Sequence, residues 1–107
     1  MHRPPDPAPA RLRLKLQQAI ALHQRGQLSG AKRLDEEILS EQPQNFDALH
    51  LLGVIVAVSG DPKKAADLIG RAIQIDSRCG TAHNNRGAAL QQLGDWQGVL
   101  AEFERAI

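Results

Sequence analysis

The side chains best suited to chemistry in this 107-residue chain are His23, His50, His83 and its only cysteine, Cys79. Imidazoles make a zinc site when they converge on one ion at bonds of ~2 Å. Spacings of 27 and 33 residues do not bring two of these to one point on adjacent helices. Histidines on helix faces are the simpler reading. Arg78 stands beside Cys79, and a neighbouring cation lowers a thiol's pKa, but no catalytic constellation accompanies it. Glycines recur, yet no GxxxxGK[ST] loop follows a strand, so nothing cradles phosphate. The chain is therefore expected to be no enzyme and to hold no cofactor and no metal.

What positions these residues is a repeat. Gly53 and Gly87 are 34 apart, and Ala19 stands 34 before Gly53. Gly26, Gly60 and Gly94 keep that interval, as do Ala31, Ala65 and Val99, and Ile38, Ala72 and Ala106. Small residues match small ones and apolar residues match apolar ones, the signature of stacked supersecondary units. Within each unit the apolar spacing is helical: Leu12, Ala19 and Leu22, then Ala31, Leu34, Ile38 and Leu39, then Ala65, Leu68, Ile69, Ala72 and Ile73. Gly26 and Gly60 end helices, Pro43 stops another, and Asp61-Pro62 opens one with a cap and a proline at its first position. Leu51 to Val58, LLGVIVAV, would suit a buried strand on propensity alone. The repeat places a helix there and leaves a strand no partner.

These residues resemble the tetratricopeptide repeat. Leu52-Gly53, Gly60-Asp61, Ala65 and Ala72 fit its pattern, as do Gly87, Gly94-Asp95, Trp96 and Phe103, and Ala19, Gly26, Ala31, Ile38 and Pro43. Three positions depart from it: Asp35 replaces the usual aromatic, Arg86 the usual leucine and Ser77 the usual proline. The resemblance implies an all-α array of helical hairpins forming a right-handed α-solenoid. About three repeats are expected, near residues 12–45, 46–79 and 80–107, the last abbreviated. Together they make one domain over 11–107. Residues 1–10 hold four of the six prolines and are expected to form a disordered arm rather than a helix.

Composition narrows the partners. A formal net charge of +1 and only three aromatics, Phe46, Trp96 and Phe103, exclude electrostatic steering to nucleic acid and a stacking platform for bases. The longest apolar run, eight residues, falls far short of the roughly 20 that span a bilayer. Neither nucleic acid nor membrane is expected as a partner. A single cysteine fits a reducing, cytoplasmic setting.

By resemblance, the first helix of each repeat lines a concave face that receives a peptide or partner helix. Register assigns to it Arg13, Leu16, Gln17, Ile20, His23 and Gln24, then Asp47, His50, Leu51, Val54 and Val58, then Thr81, Asn84, Asn85, Ala88, Gln91 and Gln92. The early part is apolar and the late part amide-rich. Contiguous apolar patches usually mark contacts, so a peptide, a second copy or the chain's own arm is expected over Leu51, Val54 and Val58. The chaperone-binding subtype clamps a carboxylate with lysine, arginine and asparagine; only Asn85 matches, and no lysine is placed on this face. HNNRGAALQQLGD, with Asn84 and Asn85, resembles one rung of the asparagine ladder of O-linked N-acetylglucosamine transferases, although Gln17 and Leu51 break that ladder. LHLLGVIVAVSGD resembles openings of long bacterial repeat proteins, some with a downstream glycosyltransferase domain. Arg86 is expected to snorkel or to meet Asp67 or Asp95. The expectation is a protein-binding scaffold. The alternatives are the leading segment of such a transferase and a structural repeat that homo-oligomerises through the groove or through its uncapped last helix.

Overall fold

The computed structural model describes residues 7–94 and 104–105. Among them are five helices and no strand: α1 Pro7–Gln24, α2 Leu28–Glu41, α3 Phe46–Val58, α4 Pro62–Ile75 and α5 Gly80–Leu93. Among the described residues each helix packs on the next in chain order, and the only other pairings skip a single hairpin partner, α1 with α3 and α3 with α5. Contacts of that kind, made only between neighbours, define a solenoid. The expected all-α array of hairpins is observed. The expected residues of the last helix, Asp95, Val99, Leu100, Phe103 and Ile107, lie outside the described residues, as do residues 1–6 of the arm.

One boundary differs. The helix expected to begin at Arg11 begins at Pro7, so residues 7–10 are helical rather than part of a disordered arm. Pro7 and Pro9 fall in the first turn, where the backbone N–H has no intrahelical acceptor and its loss costs nothing.

The turns inside the hairpins are built alike. Gly26 and Gly60 take φ of 76° and 97°, a left-handed conformation in which a side chain is strained. The next residue then reaches back, Gln27 N–H to the Leu22 carbonyl at 2.9 Å and Asp61 N–H to the Val56 carbonyl at 3.1 Å. This satisfies carbonyls that the helix end leaves without partners. Starts are capped where the sequence supplies an acceptor: Asn45 Oδ1 takes the Ala48 N–H at 2.9 Å, and Asp61 Oδ1 takes the Lys64 N–H at 3.1 Å.

α3 is the keystone. Its Val- and Ile-rich run is helical because α2, α4 and α5 all pack against it, and packing overrides propensity. Leu49, Leu52, Ile55 and Val56 are all at most 5% exposed. Gly53 sets the closeness of α3 to α4, since a methyl there would come within 2.5 Å of Ile69.

Candidate functional site

The three departures from the repeat pattern are resolved in three ways. Arg86 lies flat over Gly70, where a Cβ would stand 3.0 Å from its Nε. That Nε donates to the Ala66 carbonyl at 3.4 Å, so α4 provides backbone for the guanidinium. Ser77 contributes its own carbonyl, which receives His83 Nε2 at 2.8 Å. His83 is 1% exposed; it is an interior residue, not the helix-face histidine expected. Asp35 is fully buried, and both its carboxyl oxygens lack a hydrogen-bond partner among the described residues. Burial first, and the neighbouring Glu36 second, push its pKa from 3.8 up to about 7. Cys79 precedes α5 half-buried, and its neighbour Arg78 is engaged instead by Asp76, at 2.9 and 3.2 Å.

On the face assigned to the groove, α1, α3 and α5 bring their polar residues together at one place. Asn85 Nδ2 donates to His50 Nε2 at 2.9 Å, joining α5 to α3. The bond requires the imidazole to be neutral at Nε2. Desolvation favours that form and lowers the His50 pKa; Asp47 opposes the shift and the nearby His23 adds to it. Phe46 stands edge-on to the same ring, centroids 5.9 Å apart. His23 is half-buried, with its Nδ1 enclosed and without a partner among the described residues. His23 and His50 thus lie close enough for their charges to interact, which their spacing did not suggest. No group of three metal-ligating side chains occurs among the described residues.

Beside this polar cluster is an apolar hollow of about 170 Å³, lined by Val54, Ala57, Val58, Ile69, Asn85, Ala88, Ala89 and Gln92. Val58 is 70% exposed on its rim. Of the residues assigned to the groove from sequence, Val54, Val58, Asn85, Ala88 and Gln92 meet here. Asn84 and Gln91 are exposed but off the hollow, Asp47 is exposed at the start of α3, and Ile20 and Leu51 are half-buried. Leu16 is spent on packing against Leu12, Ile38 and Ala48. The hollow also draws on Ile69 from the second helix of its hairpin, which first-helix register could not supply. Ala57 and Ala89 complete it by being small.

Helical hairpins stacked at a 34-residue interval and closed by left-handed glycines define a class of repeat solenoid. The chain belongs to the tetratricopeptide-repeat family. No protein-family model matches it. It is 37% identical over 73 residues to Tetratricopeptide repeat protein 36 of Homo sapiens and 38% identical over 66 residues to that of Bos taurus. Those alignments span 68% and 62% of the chain but 39% and 35% of the relatives' own lengths. Among solved structures, a mutant O-GlcNAc transferase from Thermobaculum terrenum superposes with a TM-score of 0.90 at 26% identity, over 96% of this chain and 20% of that one. MamA superposes with a TM-score of 0.80 at 22% identity, over 90% of this chain and 52% of its own. The second tetratricopeptide domain of Spaghetti (RPAP3), bound to an HSP90 peptide, gives 0.82 at 16%, over 89% and 88%. The last two likenesses are of fold alone. No described helix is long and apolar enough to cross a membrane.

Proposed function

We propose that this chain is a protein-interaction module whose concave face, between α3 and α5, takes one side chain of a peptide or partner helix in the hollow beside His50 and Asn85. The observation that carries the reading is the juxtaposition itself. An open apolar hollow with the exposed Val58 on its rim adjoins an oriented amide. Apolar burial supplies affinity there, and the amide fixes orientation. The peptide-bound RPAP3 domain supports the use of such an array for peptides. A carboxylate clamp like that of the chaperone-binding subtype is not expected, because no lysine lines this hollow.

The test is selection of binders from a phage-displayed random dodecamer library. The enriched peptides are then measured by fluorescence polarisation on the native chain and on Val54→Lys/Val58→Glu. Both positions are at least partly exposed, so helicity should be unchanged. Binding should weaken at least about tenfold; equal binding to the double variant would remove the concave face from the function.

A second reading is favoured by the likeness to the Thermobaculum transferase over nearly the whole chain. In it the array is the recruiting segment of a larger glycosyltransferase. An immunoblot of source-cell extract at a mass well above that of 107 residues would support that reading, and a band at that mass would dismiss it.

A further inference from the structure

Repeat register lets each surface of the first hairpin be compared with its counterpart 34 residues on. Leu52, Ile55, Val56 and Leu68 are 2–7% exposed; α2 packs against α3, and Leu39 of α2 packs against the cluster that holds Leu52, Val56 and Leu68. Their counterparts are Gln18, Ala21, Leu22 and Leu34. These four, with Arg25 and Arg33, line an open depression of about 330 Å³. Leu14, counterpart of the fully buried Ala48, is 61% exposed. The outer edge of α1 and α2 thus repeats, in register and partly in composition, the face on which the second hairpin accepts a helix.

The rim selects what can lie there. Where the second hairpin has Ser59 and Asp67, the first has Arg25 and Arg33. Among the described residues neither arginine makes an ion pair and no acid lines the depression. A second folded copy is a poor fit. Of the described helices the one richest in acids, α2, has its apolar face already buried at Ala31 and Ile38. Oppositely charged rims raise association rates and set register.

We propose that this edge of the first hairpin is a second docking surface, separate from the concave face, for an acidic amphipathic α-helix of a partner protein. Aliphatic side chains of that helix would cover Ala21, Leu22 and Leu34, and its carboxylates would flank Arg25 and Arg33.

The probe is a synthetic helical peptide of about fifteen residues, with leucines at the i, i+3, i+4 and i+7 spacing and glutamates on both flanks. A control peptide carries lysine for every glutamate. Amide NMR of the labelled chain should show shifts along 14–25 and at Arg33 and Leu34 with the glutamate peptide only. Arg25→Glu/Arg33→Glu should weaken binding at least about tenfold, while Val54→Lys leaves it unchanged. Shifts confined to α3 and α5, or equal binding of the lysine peptide, would overturn the proposal. So would a concentration-dependent dimer in sedimentation that Leu14→Glu dissolves, because the occupant would then be a second copy.

Discussion

Replacing Asp35 should stabilise the first hairpin, and most strongly in alkaline solution. The carboxyl is 0% exposed and has no hydrogen-bond partner among the described residues, and its pKa rises from 3.8 to about 7. A raised acid pKa means that the folded state holds the proton more tightly than the unfolded chain. Its contribution is therefore intact below about 3.8 and is lost as pH climbs to about 7. A gap of about three pKa units, at about 1.4 kcal/mol each, makes the loss about 4 kcal/mol, with about 2 kcal/mol of it falling between pH 5.5 and 8. The second hairpin shows the remedy. Ile69 occupies the matching position and lies over Gly53, whereas Asp35 is matched to Ala19. Asp35→Ile with Ala19→Gly copies that pair into the first hairpin. The new glycine costs about 1 kcal/mol of helix propensity, leaving a gain of about 3 kcal/mol at pH 8.

The assay is urea unfolding at pH 5.5 and pH 8, with amide exchange of α2 to place the change in the first hairpin, since the units of a repeat array can open separately. The quantity to read is the native curve minus the variant curve, which removes the titration of His50 and other groups common to both. A difference that does not grow with pH would refute the reasoning. So would a double variant less stable than the native chain at pH 8.

Two further outcomes follow from single contacts. Gly53→Ala should lose about 1–2 kcal/mol in urea unfolding, because a methyl 2.5 Å from Ile69 overpacks by more than the ~1 kcal/mol that alanine gains in helix propensity; a more stable variant would contradict the close approach of α3 and α4. Asn85→Asp should raise the His50 pKa by placing a carboxylate where an amide now donates at 2.9 Å, as read from an NMR titration of the ring; in the native chain, whose His50 pKa is lowered, that histidine's contribution to stability is present above the unfolded value of 6.5 and lost as pH falls below it.

Much of this architecture is legible without coordinates, because the 34-residue register aligns every hairpin with the next. It locates the turn glycines at 26 and 60 and overrides the strand propensity of LLGVIVAV. It does not reveal how a misfit residue is accommodated, because the accommodation is made across a contact. Arg86 is odd at a leucine position, but what admits it is Gly70 and the Ala66 carbonyl on another helix. His83 reads as a surface histidine until the Ser77 carbonyl is found against its ring. The site shows the same limit. Its hydrogen bond joins residues 35 apart, one repeat plus one position, and its hollow borrows Ile69 from a second helix. Register compares like positions, whereas recognition is assembled from unlike ones. The most informative comparison is therefore the one that fails: Leu14 against Ala48, or Arg33 against Asp67. There the same backbone position is buried or acidic in one hairpin and exposed or basic in the other. Ala48 is buried because Leu12 and Ile38 of the preceding hairpin pack against it. Among the described residues no hairpin precedes α1, so the exposure of Leu14 follows from its place in the array. The exchange of Asp67 for Arg33 does not, and it is this charge, rather than the exposure, that a partner would read.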